Sequence, residues 1–148
     1  MEPTLTDEQI HEIAENLDCG FRSFWNTDTG ELLFLPDLNE NPYIDSELFE
    51  EDFEKLDDNF ADYTEIEKPN SSESYSIMAD FTEQLTNKKL QNELEIALNK
   101  KKPFREFKSI IENSGVYRQQ WFDFKMTQLK NWVIEKIKEA IIDKSDNE

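Results

Sequence analysis

The residues best suited to chemistry in this sequence are cations set among aromatic rings. Lys100, Lys101, Lys102, Arg105, Lys108, Arg118 and Lys125 have the type and spacing to follow a phosphate backbone, while Trp121 and Phe124 offer flat faces on which bases stack. A second account needs no ligand. Three lysines just beyond a helix ending near Asn99 complement its negative dipole end, and an aromatic stripe at helical spacing is usually core. Strong acidity elsewhere disfavours free nucleic acid. Arg105, Lys108, Arg118, Trp121, Phe124 and Lys125 are therefore expected to border one partly exposed patch, with a protein as its partner. Nucleic acid is the alternative.

Other chemistry is thinly provided. Zinc takes Cys and His ligands, and the chain has only Cys19 and His11. At 1.5 Å per residue they stand about 12 Å apart on one short helix, beyond proton-transfer range. Three isolated glycines exclude the usual phosphate loops. The stretch 45–62 is rich in carboxylates: Glu50, Glu51, Glu54, Asp57 and Asp58 share a helical face. Acid/base work needs a cleft that separates two pKa values, and nothing marks one here. A carboxylate row that imitates a phosphate backbone is a second reading, and a solvated face is the simplest. No catalytic residue, metal or cofactor is assigned, and the balance favours a non-enzymatic role.

The elements that must position these residues can be read in order. Thr6-Asp7-Glu8-Gln9 fits a capping box, followed by Ile10, Ile13, Ala14 and Leu17 at helical spacing and a stop at Gly20. Residues 21–25 and 31–36 flank the polar loop Asn26–Gly30 and predict a β-hairpin. Placing Gly30 on the glycine of a calcium loop puts Trp25 on a ligand position, so the loop is a turn. Leu48, Phe49, Phe53, Leu56 and Phe60 predict one helix over 45–62. Tyr63–Glu67 alternates and predicts a third short strand.

Beyond Asn70 the chain reads as helical. Tyr75, Met78, Phe81 and Leu85 face inward, as do Leu90, Leu94, Ala97 and Leu98 on the next helix. Pro103 opens another, with Phe104, Phe107, Ile110 and Ile111 toward the core. The last helix, from Tyr117 to Ile142, carries two stripes. Phe122, Met126, Leu129, Val133, Ile137 and Ala140 form an aliphatic seam. Tyr117, Trp121, Phe124 and Trp132 form an aromatic one, either core or interface.

Charge is unevenly placed. Residues 1–86 hold 24 acidic against 3 basic side chains, whereas residues 87–148 hold 10 against 13. The whole chain, at −18, has too many aromatic residues for a disordered acidic tail. Its 148 residues suit one domain, with an acidic α/β part (1–86) and a near-neutral to basic helical part (87–148). No apolar run approaches the ~18 residues of a membrane span, and the first residues lack a signal peptide's pattern. A cytoplasmic protein is expected, its oligomeric state left open.

The run ALNKKKPFREFKSII (97–111), followed by YRQQWFDFKMTQL (117–129), resembles an uncharacterised bacterial protein family, number 158 of the UPF series. SYSIMADFTEQL (74–85) and the hairpin around TDTGELL (27–33) are similar to its earlier parts. The resemblance implies no catalytic or binding residue. The expected fold is α+β, with about three antiparallel strands from the N-terminal half packed against a C-terminal helical layer.

Overall fold

The computed structural model describes residues 5–146. They form two compact units. One comprises the chain up to Lys68 and again from Leu129 onward, and the other is Pro69–Gln128. The divisions between them fall at 68/69 and 128/129.

In the first unit, helix α1 (Asp7–Asp18) begins at the expected capping box. The Thr6 hydroxyl accepts from the Gln9 N–H at 3.2 Å, and the Gln9 side chain accepts from the Thr6 N–H at 2.9 Å. The helix ends before Gly20, whose φ of +85° suits glycine and strains other residues. Strands β1 (Phe21–Asn26), β2 (Leu32–Pro36) and β3 (Tyr63–Ile66) form an antiparallel sheet in the order β2-β1-β3. Phe24 pairs with Leu33 and Trp25 with Thr64. The Asn26 side chain shapes the hairpin turn by accepting from the N–H groups of Asp28 and Thr29.

Alternation along the strands sorts the core. Phe24, Leu33 and Leu35 meet Leu56 of helix α2 (Glu50–Asp58), flanked by Phe49, Phe53 and Tyr63. Trp25, Ser23 and Ile66 point to the opposite face and are almost completely buried. Leu129, Val133 and Ile137 of helix α6 (Val116–Asp146) are also buried. The Trp132 indole donates to the Glu67 carbonyl at 2.7 Å, which fixes α6 beside the end of β3.

The single helix predicted over 45–62 is corrected. Short 3₁₀ turns at Ser46–Phe49 and Phe60–Asp62 flank α2, and Leu48 and Phe60 are 78% and 69% exposed. Asp57, Asp58 and Asn59 are weak helix formers, and two carboxylates oppose the dipole at a helix C-terminus. Asn59 leaves helical geometry, and Phe60 departs from the inward face with it.

Glu31, just before β2, ties three elements together by accepting from the Lys55 ammonium and, at 3.0 Å, from the Tyr63 hydroxyl. The Lys55 hydrogen bond is the main cause that holds the Glu31 carboxyl below its ordinary range, against an opposing desolvation. A lowered folded pKa means stability that is present above the unfolded value, near ~4.3, and is lost as pH falls through the folded one. Both side chains are more than a third exposed, so solvent screens the pair and its contribution to stability is small. Glu31→Gln should lower stability slightly at neutral pH, with the difference closing as pH falls below about 4. Urea titrations of both chains across that range measure it.

The second unit holds α3 (Ser71–Gln84), α4 (Lys88–Leu98), α5 (Pro103–Glu112) and the first turns of α6. Asn70 and Glu73 form a second capping box at the start of α3. Gln91 closes its other end by donating to the carbonyls of Thr82 and Glu83. Met78, Phe81, Leu85, Leu90, Leu94, Leu98, Phe107 and Ile111 form the core. The Tyr75 hydroxyl donates to the Leu98 carbonyl at 3.0 Å, linking α3 to the end of α4. The α+β class is as expected, and no described helix is long and apolar enough to cross a membrane.

Two residues assigned to the core by spacing are instead at the surface: Phe104 is 42% and Phe122 45% exposed. Trp121 and Phe122 stand ~100° apart on a helix, and here Phe122 is the one turned outward. Trp121 takes the inward place, and the aliphatic seam starts at Met126. Phe104 has an inward-facing position on α5 but lies in its first turn. Periodicity gives a direction without saying how far the core extends along it.

Candidate binding groove

The second unit carries a hollow of about 380 Å³ between α5 and the start of α6. Its floor is apolar: Met78, Phe107 and Ile111, all buried. Phe104, Trp121 and Phe122 wall it, and Lys108, Arg118 and Lys125 stand around it with one carboxylate, Glu112. That volume is near the lower end of ligand-pocket sizes, ~300–1,000 Å³.

Packing fixes the aromatic wall. The Trp121 ring meets Phe107 at 4.9 Å and Phe81 at 5.3 Å, both edge to face, an arrangement favoured by the ring quadrupoles. Phe124 lies 5.5 Å from Phe81. Above the wall, the Lys125 ammonium sits 5.7 Å from the centroids of both Trp121 and Phe122, within cation–π range. Lys108 lies 3.9 Å from Glu112. Arg118 is exposed and has no ion-pair partner among the described residues.

Of the six residues expected to share a patch, the groove gathers Lys108, Arg118, Trp121 and Lys125. Arg105 and Phe124 do not line it. Arg105 is exposed beside Glu106 at 3.4 Å, and Phe124 turns its ring to the core. The aromatic stripe is half-buried and flanks the core: Tyr117, Trp121 and Phe124 pack against the cluster of the second unit. Trp132 serves the first unit, with Lys136 4.5 Å above its ring.

Sequence reasoning missed Phe104 and Phe122 as groove residues. The adjacent Trp121-Phe122 pair was the available signal, since two large rings ~100° apart present more apolar surface than a narrow seam buries. Lys100 pairs with Glu106 at 3.7 Å, in keeping with a structural role for the lysine run. His11 is exposed beside Glu15, and Cys19 is exposed and in no disulfide. Among the described residues no three His, Cys, Asp or Glu are grouped to hold a metal ion.

Comparison with known families places the chain. It matches the Uncharacterised protein family (UPF0158) over residues 3–147, nearly its whole length. The chain belongs to this family. No curated protein and no solved structure matches the UPF0158 chain. Membership therefore assigns the groove no ligand, and any function must be argued from the groove's own chemistry.

Proposed function

We propose that this protein is a non-enzymatic binding protein whose partner is another protein, and that its groove receives apolar side chains from an acidic segment of that partner. The observation that carries this reading is an apolar floor bordered by Lys108, Arg118 and Lys125 on a chain of net charge −18. At this hollow three cations stand against the single carboxylate Glu112, and that local excess of positive charge favours carboxylates on a partner. The exposed Phe104 and Phe122 rings supply the apolar contact that anchors protein interfaces.

Nucleic acid is the second reading, and one contact argues against it. Lys125 lies over both Trp121 and Phe122, where a stacked base would have to sit.

Panning a phage-displayed peptide library against the full chain tests the proposal. Selected peptides should combine Asp or Glu with large apolar residues. Lys108→Glu/Arg118→Glu should weaken them at least ~10-fold, since each reversed cation then faces a carboxylate. Selection of peptides that bind both chains equally sinks the proposal. Labelled single-stranded RNA should remain unbound at ~0.15 M salt. Tight RNA binding that falls steeply with salt and disappears in the double variant would move the reading to nucleic acid.

A further inference from the structure

We infer that the occupant of the groove is the acidic segment 43–54 of a second copy of this chain. The inference rests on the proposed binding role of the groove and names its partner. The first unit displays a segment with the complementary chemistry. Tyr43 is 99% exposed and Leu48 78% exposed, a degree of exposure uncommon for large apolar side chains placed close together. Glu47, Glu50, Glu51 and Glu54 lie in the same stretch of chain, all exposed and without ion-pair partners among the described residues.

The two features fit each other. The groove offers aromatic walls and cations, and the segment offers apolar side chains and carboxylates. In the inferred contact Tyr43 and Leu48 supply the apolar side chains for the hollow, and Glu47 and Glu51 the carboxylates for Lys108 and Arg118. Each copy carries both a segment and a groove, so one copy can give a segment while another receives it. The same contact covers Tyr43, Leu48, Phe104 and Phe122, all exposed apolar side chains. Repulsion between two chains of −18 works against association. It acts at long range and is screened beyond ~8–10 Å at physiological salt, whereas close ion pairs are screened less.

Sedimentation velocity of the full chain at ~0.15 M salt, from micromolar to submillimolar protein, provides the test. The wild type should show a concentration-dependent shift from monomer to dimer. Lys108→Glu/Arg118→Glu and Glu47→Lys/Glu51→Lys should each raise the dissociation constant at least ~10-fold. A chain carrying all four substitutions should associate again, because its charges are complementary once more. All four sites are exposed, and circular dichroism checks that each variant folds. A wild type that stays monomeric overturns the inference, as does a dimer indifferent to both reversals. If the wild type is monomeric while library-selected peptides still bind the groove, only the identity of the occupant is wrong. If neither binds, the proposed function falls as well.

Discussion

Phe81→Ala should lower the unfolding free energy by about 3–5 kcal/mol, the usual cost of removing a fully buried ring. Phe81 is 1% exposed and lies at the centre of the second unit, with Trp121 at 5.3 Å and Phe124 at 5.5 Å. Truncation removes the buried area and leaves a hollow between α3 and α6. It also removes two aromatic pairs worth roughly 0.5–1.5 kcal/mol each beyond that area. Phe122→Ala provides the control. Its ring is 45% exposed, so its loss should cost about 0.5 kcal/mol, as for other surface changes. Guanidinium unfolding monitored by circular dichroism separates the two. Similar costs for both variants would mean that the inward face of α6 is not the one bearing Trp121.

That comparison bears on how much of the fold was legible in the sequence. Local signals were clear. Thr6 and Gln9, the Gly30 turn, the alternation of Tyr63–Ile66 and Pro103 at the start of α5 depend on residues close in sequence, so short patterns carry them. The last helix was harder because it changes allegiance. Tyr117, Trp121 and Phe124 pack on one unit, while Leu129, Val133 and Ile137 lie in the other. Two stripes were visible, but the change between residues 128 and 129 depends on the chain returning to the first unit, which no periodicity records. The acidic stretch failed differently. Its apolar spacing fits a helix from 45 to 62, yet Asp57-Asp58-Asn59 is a poor C-terminus and only nine residues are α-helical.

The groove was half legible for a related reason. Lys108 and Arg118 stand on successive helices, and the turn between α5 and α6 brings both to one hollow. Arg105, one turn from Lys108 on the same helix, was expected beside it but lies away from the groove. Composition revealed a basic segment with aromatic residues. Choosing its members requires the direction of each side chain relative to Phe81 and Phe107, and that direction is set by packing across sequence.

Trp25→Ala should cost about as much as Phe81→Ala, roughly 3–5 kcal/mol, yet Trp25→Phe should cost far less. Trp25 is fully buried on the sheet face opposite Phe24, and its indole N–H has no hydrogen-bond partner among the described residues. A buried donor without an acceptor carries a penalty of ~1–3 kcal/mol. Phenylalanine keeps most of the ring and removes that donor. The relief offsets part of the cavity left by the smaller side chain, for a net cost of about 1 kcal/mol or less. Ser23 lies two residues earlier on the same face, and its hydroxyl is likewise buried and unpartnered. Ser23→Ala should then be neutral or slightly stabilising, by up to ~1 kcal/mol. Equilibrium unfolding of all three variants decides the matter. If Trp25→Phe and Ser23→Ala each lost more than ~1 kcal/mol, both groups would be hydrogen-bonded in solution, and this face of the sheet would hold a polar network instead of a dry core. Small losses from both beside a large one from Trp25→Ala would show that the sheet is held on this face by ring volume, with the two polar atoms carried at a cost.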